Sequence, residues 1–118
     1  MSGYKSLNVY QRAYHMAIRV HEIIQHYPRT QRYELASQLW RSALSIPLNI
    51  AEGYGRKDSR NEFQHFLRNA LGSCNEVRVL LEISNDLGYL STKDYQTLEV
   101  EYKIISKQLY RLREQYKN

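Results

Sequence analysis

The chain has 118 residues, which is enough for one domain with a sizeable core and too few for two ordinary domains. It carries 17 Lys and Arg residues against 12 Asp and Glu residues, a formal net charge of +5, and its 42% of hydrophobic residues excludes a disordered composition. Two prolines and five glycines are too few for a β-sandwich or barrel with many turns. No apolar run approaches the roughly 20 residues that span a bilayer, and no signal peptide follows Met1. We therefore expect a single domain over residues 1–118, in the cytoplasm and without membrane contact.

Four segments have apolar residues at steps of three and four, the spacing of one helix face. They span about residues 7–27, 33–53, 59–87 and 91–116. Pro28 is expected to end the first segment, Gly53 and Gly55 the second, and Gly88 the third. Short connections make successive helices antiparallel neighbours, so the pattern predicts an all-α, up-down-up-down four-helix bundle.

The second segment is apolar over about half of its circumference. Its first stripe consists of Leu35, Leu39, Ala43, Ile46 and Ile50, and its second stripe of Ala36, Trp40, Leu44, Pro47 and Ala51. A surface helix needs only one stripe of this width, so one face is expected in the core and the other against identical subunits. Pro47 deletes a helical hydrogen bond at ~3 kcal/mol or more, so the second helix should kink there or break.

Serine residues begin the third and fourth segments. Ser59 and Glu62 form a capping-box pattern, in which each side chain is expected to bond the backbone N–H of the other residue. Ser91 begins the fourth helix, and Asp94 lies in its first turn, where negative charge is favourable.

Motifs for catalysis, nucleotide binding and metal binding are missing from the sequence. A di-iron site in a helical bundle needs two Glu-x-x-His pairs, and only Glu62 with His65 fits that spacing. The single cysteine, Cys74, excludes an internal disulfide and lies on an apolar stripe, where a buried thiol is expected rather than a nucleophile. No P-loop, dinucleotide-binding turn or nucleophile elbow occurs. We expect no enzyme activity, no metal and no cofactor.

Polar residues form a row beside the first apolar stripe, and a second polar row follows the third segment. The two rows consist of Gln38, Arg41, Ser45, Asn49, Glu52 and Arg56, and of Asn69, Ser73 and Glu76. If the rows face each other, they predict a hydrogen-bonded network in which Arg41 or Arg56 pairs with Glu76 or Glu52. Because buried polar groups are tolerated only when paired, this network is favoured as a structural one that fixes helix register or a subunit contact. A ligand or nucleotide pocket is the alternative.

Basic residues gather in three places. They are Arg56, Lys57 and Arg60 between the second and third helices, Lys103, Lys107 and Arg111 on the last helix, and Lys5, Arg12 and Arg19 on the first. Charge of this kind usually forms a solvated face, but a positive domain with tyrosines beside the cations suits a phosphate backbone. Without a base-reading motif, binding of RNA or DNA should be electrostatic, with stacking on tyrosine as a supplement. The first two groups are the candidate phosphate contacts.

The run Ser45-Ile46-Pro47-Leu48-Asn49-Ile50-Ala51-Glu52-Gly53, continued by Gly55-Arg56, resembles the signature of the family of 23S rRNA intervening-sequence proteins. Further matches, at Val9-Tyr10-Gln11, Tyr27-Pro28, Phe66-Leu67 and Leu87-Gly88-Tyr89, extend the resemblance over nearly the whole chain. The departures are small: Tyr10 replaces the usual tryptophan, and Trp40 and Cys74 are unexpected.

The resemblance implies a four-helix bundle assembled into a ring, typically a homopentamer, in bacterial proteins whose molecular function is mostly unassigned. A similar fold forms the accessory variability protein of diversity-generating retroelements, a basic pentameric barrel that binds nucleic acid and the reverse transcriptase. That second similarity is one of fold and carries function only by analogy.

The sequence thus predicts a non-enzymatic oligomer that binds RNA or DNA through basic surface rows. The alternative is a protein-interaction scaffold, such as an accessory subunit of a reverse transcriptase, without direct binding to nucleic acid.

Overall fold

The structure is a computed structural model that describes residues 3–117, apart from the side chains of residues 31–33. Its four α-helices are α1 (Asn8–Ile24), α2 (Ser37–Tyr54), α3 (Arg60–Asp86) and α4 (Thr92–Gln115). Short 3-10 turns at Tyr4–Ser6 and Arg29–Gln31 flank α1, and a π-helical turn at Arg32–Ala36 leads into α2. Residues 3–117 form no strand, which confirms the all-α prediction.

Contacts between neighbouring helices run in opposite chain directions. The pairs are Arg12–Glu101 and Arg19–Asp94 between α1 and α4, Ser42–Glu76 and Ser45–Ser73 between α2 and α3, and Gln64–Arg113 and Arg78–Glu99 between α3 and α4. These neighbours are therefore antiparallel, and α1 also packs against α2. The resulting bundle is 44 Å long.

Apolar residues from all four helices meet along the bundle axis. The largest fully buried side chains include Val20, Leu39, Ile46, Ile50, Phe63, Leu67, Leu81, Tyr102 and Leu109. The first α2 stripe is buried throughout, as predicted. In the second stripe Trp40, Leu44 and Ala51 are only half-buried, and the neighbouring Leu48 is 61% exposed. The α2 helix therefore keeps apolar surface in contact with solvent in a single copy of the chain.

The helix α2 runs without interruption through Pro47. The predicted break is therefore absent, and a kink at this residue stays a prediction. The side chain of Pro47 is buried, so it contributes apolar surface to the packing of α2 although it lacks the N–H group of a helical hydrogen bond.

The end of α2 differs from the prediction. Gly53 does not stop the helix, which continues to Tyr54, and Gly55 follows in the right-handed conformation with φ of −64°. Gly53 instead allows α2 to approach α3 closely: a Cβ atom on this residue would lie 2.6 Å from Cβ of Phe66 and 3.0 Å from Cδ1 of Phe63. Packing between helices, and not chain termination, explains this glycine.

The other predicted boundaries are met in part. Gly88, with φ of +81°, follows the end of α3 as expected for a glycine stop. The helix α1 ends at Ile24, before Tyr27, because the N–H groups of His26 and Tyr27 donate to carbonyls three residues earlier and tighten the last turn.

Only half of the predicted capping box forms. The hydroxyl of Ser59 accepts a hydrogen bond from the N–H of Glu62 at 3.3 Å. The carboxylate of Glu62 pairs with Arg56, and the N–H of Ser59 donates to the carbonyl of Arg56 at 3.0 Å. At the start of α4, the hydroxyl of Ser91 accepts from the N–H of Asp94 at 3.1 Å.

We expect Gly53→Ala to lower the free energy of unfolding by about 1–3 kcal/mol. The atom that the new methyl group meets is Cβ of Phe66, which cannot move without shifting α3. The matched control is Gly72→Ala, because Gly72 is exposed within α3 and has no atom within 4 Å of its Cβ position. This control should raise the free energy of unfolding by about 0.5–1 kcal/mol. Urea denaturation measures both values, and equal effects of the two substitutions would contradict the packing argument.

Candidate nucleic-acid interface and polar groove

The outward face of α4 carries Lys103, Lys107 and Arg111, which we call the α4 row. All three side chains are exposed, and none makes an ion pair within residues 3–117. The rise of an α-helix places successive members of the row about 6 Å apart along the axis. The row is therefore a line of positive charge with no carboxylate of the described chain within ion-pair distance.

Two acidic residues of α4, Glu99 and Glu101, point sideways, toward the neighbouring helices. Glu99 accepts from Nη2 of Arg78 on α3 at 2.7 Å and from Nε of the same residue at 3.0 Å. Glu101 pairs with Arg12 on α1 at 2.6 Å. Arg12, which belongs to the third predicted basic group, is thus engaged within the bundle. On α4, the carboxylates of Glu99 and Glu101 are thus paired with other helices, and the α4 row lies in solvent. Glu114 pairs with Lys117 just after the helix, at 3.4 Å.

A cluster of cations and aromatic rings lies where the α2–α3 connection meets the end of α4. It consists of Tyr54, Lys57, Arg60, Phe63 and Tyr116, and we call it the turn-end cluster. Nζ of Lys57 is 4.1 Å from the ring centroid of Tyr54 and donates to its hydroxyl at 3.0 Å, a bond that raises the pKa of Lys57. The guanidinium of Arg60 is 5.6 Å from the ring centroid of Tyr116. Each exposed cation therefore covers one tyrosine ring.

Arg56 differs from the other two cations of the connection. Its guanidinium donates to Glu52 at 3.0 Å and to Glu62 at 3.2 Å, and it lies 5.5 Å from the ring centroid of Phe66. The hydrogen bonds to these two carboxylates raise the pKa of Arg56. The two carboxylates balance the charge of Arg56, which leaves little charge for a ligand. Its ion pairs join α2 to the start of α3.

The two polar rows meet in part between α2 and α3. The hydroxyls of Ser45 and Ser73 lie 2.8 Å apart, and Nδ2 of Asn49 donates to the hydroxyl of Ser45 at 2.9 Å. The hydroxyl of Ser42, a residue that the sequence analysis missed, donates to the carboxylate of Glu76. Ser42 lies about one helical turn before Ser45 on the same side of α2, and this spacing could have predicted it as a member of the network.

Other members of the rows stay outside this network. Gln38 and Arg41 are exposed and make no side-chain hydrogen bond that reaches α3 within the described chain. Arg41 lies about 40° further around α2 than Ser45, at 100° per residue, and therefore outside the arc that faces α3. Among the predicted cations it is therefore Arg56 that pairs, and its partners are Glu52 and Glu62.

An open groove of about 490 Å³ follows the polar network along the bundle surface. Its walls are formed by Ser45, Asn49, Arg68, Asn69, Gly72, Ser73 and Glu76. Within the groove, Ser45 bonds Ser73 and Asn49. Two further walls bond residues outside the groove: Glu76 accepts from Ser42, and Asn69 lies 3.4 Å from His65. Arg68 was not singled out from the sequence, because nothing in its local pattern distinguishes it from other surface arginines.

Cys74 lies in the core, as its position on the apolar stripe predicts. Its thiol donates to the carbonyl of Tyr102 at 3.3 Å and accepts from the hydroxyl of Ser106 at 3.3 Å. Burial raises the pKa of Cys74, an effect that the hydrogen bond from Ser106 opposes in part. The thiolate, which is the reactive form, is therefore disfavoured.

The single Glu-x-x-His pair of the sequence lies at the surface. Glu62 is exposed and bound to Arg56, and His65 is exposed beside Phe66. Within residues 3–117, no three or more His, Cys, Asp or Glu side chains are grouped closely enough to hold a metal ion. None of the described helices has the length and apolar character needed to cross a membrane.

These features define a small helical-bundle protein with charged and polar surface sites. The model of the 23S rRNA-intervening sequence protein family matches residues 5–111, and the chain belongs to this family. A solved structure with a similar fold is that of a protein of unknown function from the S23 ribosomal protein family of Bacteroides thetaiotaomicron. The two chains are 25% identical, with a TM-score of 0.82, and the match covers 90% of this chain and 95% of the other. No curated protein matches the chain.

We expect the thiol of Cys74 to react with a disulfide reagent at about pH 8 roughly 100-fold more slowly in the folded protein than in denaturant. A raised pKa lowers the thiolate fraction at this pH, and burial restricts access. The rate should increase with pH as the thiol ionises. A reaction of the folded protein as fast as that of the denatured protein would show an accessible thiol.

Proposed function

We propose that this protein binds RNA or DNA electrostatically, as a homo-oligomer in the cytoplasm, and catalyses no reaction. The observation that carries the proposal is the separation of charges on α4. If the lysines of the α4 row were paired with Glu99 and Glu101, the row would present little net charge. Instead Arg78 and Arg12 engage these carboxylates, and the positive charge of the row is available to a polyanion.

Lysine and arginine side chains bind phosphate groups and release the counterions condensed on the nucleic acid. Such contacts fix position but do not read sequence. The α4 row and the cations of the turn-end cluster lie toward the same end of the bundle, because Arg60 donates to the carbonyl of Gln115 in the last turn of α4 at 3.4 Å. A single polyanion can therefore contact both groups, with little dependence on its sequence.

The support for a homo-oligomer is the apolar surface shared by α1 and α2, which we call the α1–α2 face. Tyr14 and Ile18 of α1 are 48% and 47% exposed, and Leu48 of α2 is 61% exposed. The ring of Trp40 contacts His21 of α1 at a centroid distance of 4.9 Å, so the two helices share this face. A second copy would cover it, and each added copy contributes its charge of +5 to the attraction for a polyanion. The ring of five that the family resemblance implies would multiply that charge fivefold.

The same face supports the alternative function, a scaffold that binds another protein such as a reverse transcriptase. In that case the α1–α2 face would take the partner, and the protein would not need to bind nucleic acid directly.

The triple variant Lys103→Gln, Lys107→Gln, Arg111→Gln tests the main proposal. We expect a wild-type affinity for generic RNA that falls steeply with salt, and a slope of log K against log salt that is smaller by about 2–3 in the variant. Fluorescence anisotropy over a salt series measures both slopes.

The matched control is the triple variant Arg29→Gln, Arg68→Gln, Lys93→Gln. It removes the same charge from exposed positions that are scattered over the bundle, so its slope should remain close to that of the wild type. Equal slopes for the two triple variants would show that the α4 row does not contact the phosphates. Absent or salt-independent binding by the wild type would favour the scaffold.

Assembly is tested by Leu48→Glu, which places a charge on the α1–α2 face. We expect sedimentation velocity to show an oligomer for the wild type at micromolar concentration and smaller species for this variant. Val100→Glu is the control, because Val100 is 57% exposed on the outer side of α4 and should leave assembly unchanged. A wild type that sediments as a single folded copy would contradict the proposal.

A further inference from the structure

The geometry points to the turn-end cluster as a binding site for unpaired bases, which identifies the ligand as a single-stranded polynucleotide. In this inference, bases stack on Tyr54 and Tyr116 while Lys57 and Arg60 turn from the rings to the adjacent phosphates. The inference rests on the proposed function and specifies the physical form of its ligand.

The core fixes the two tyrosine rings in place. Phe63 is fully buried, and both tyrosines pack edge-to-face with it. The Tyr54 centroid is 6.1 Å from that of Phe63 with an interplanar angle of 87°, and the Tyr116 centroid is 4.5 Å away with an angle of 73°. Rigid aromatic surfaces bind a base without a loss of their own conformational freedom.

Two cations, Lys57 and Arg60, cover these rings. Lys57 and Arg60 are exposed side chains, and neither forms an ion pair within residues 3–117. Arg60 is otherwise held by a single long hydrogen bond of 3.4 Å to Gln115. Cation–π contacts at exposed sites are weak, and the hydrogen bond of 3.0 Å from Lys57 to the Tyr54 hydroxyl is exposed to solvent, so an incoming base displaces the cations easily. The released cations then lie close to the phosphates on either side of that base.

The accessibility of the bases favours a single strand over a duplex. In a duplex each base is paired and stacked, so neither of its faces can reach a protein ring unless the pair is opened. Bases of a single strand present free faces, and aromatic stacking accepts any of them. RNA and DNA strands share this chemistry, and the experiment distinguishes between them.

The test compares four labelled ligands of about 20 nucleotides by fluorescence anisotropy at one low salt concentration. They are oligo-U, oligo-dT, an abasic strand with the same number of phosphates, and a DNA duplex. We expect oligo-U and oligo-dT to bind about tenfold more tightly than the abasic strand and more tightly than the duplex. A higher affinity for oligo-U than for oligo-dT would identify RNA as the preferred strand, and the reverse would identify DNA.

Substitution of the rings tests the location. Tyr54→Leu and Tyr116→Leu keep an apolar side chain against Phe63 and remove the flat aromatic surface. Each should reduce the ratio of oligo-U to abasic affinity several-fold and leave the affinity for the abasic strand unchanged. The control is Tyr95→Leu, because Tyr95 is also half-buried but lies near the opposite end of α4. Circular dichroism checks folding, and either ring variant that folds is sufficient for the test.

The possible failures are distinguishable. If none of the four ligands binds, the proposed function is wrong and this inference falls with it. If all four bind with similar affinity, or if the ring variants leave the oligo-U to abasic ratio unchanged, only the single-strand inference is overturned. The single-strand inference would also be overturned if Tyr95→Leu lowered the oligo-U to abasic ratio as the two ring variants are expected to do.

Discussion

The close approach of α2 to α3 at Gly53 determines the form of one whole end of the bundle. Because Gly53 has no side chain, the rings of Phe63 and Phe66 pack directly against the α2 backbone. The buried Phe63 then supports the edges of Tyr54 and Tyr116, and these rings carry the cations of the turn-end cluster. A methyl group at position 53 would disturb the helix packing and the surface cluster together.

Features that depend on local sequence were predicted well from the sequence. The four helices, the buried first stripe of α2 and the glycine stop at Gly88 all follow from residue spacing within one segment. The errors concern features that depend on contacts between residues of different segments. Gly53 was predicted to end α2, but the close approach of Phe66 on α3 is what requires a glycine at this position. Only one of the two hydrogen bonds of the predicted capping box forms, because the carboxylate of Glu62 pairs with Arg56 instead.

The candidate site shows the same division. The spacing of Lys103, Lys107 and Arg111 along one helix was sufficient to identify the α4 row. Sequence could not show that Glu99 and Glu101 are engaged by arginines of two different helices, since this depends on which residues meet across the bundle. The sequence also could not show that Lys57 and Arg60 lie over tyrosine rings, because Arg60 contacts Tyr116 over a long sequence separation.

The direction-dependent charge on α4 has an evolutionary consequence. The sideways ion pairs belong to the packing of three helices, whereas the exposed cations of the α4 row make no ion pair within residues 3–117. Substitutions at such exposed positions usually change stability by less than about 0.5 kcal/mol. Mutation can therefore add or remove positive charge on this face one residue at a time while the bundle stays intact. Related chains can share this fold and still differ widely in how strongly they attract a polyanion.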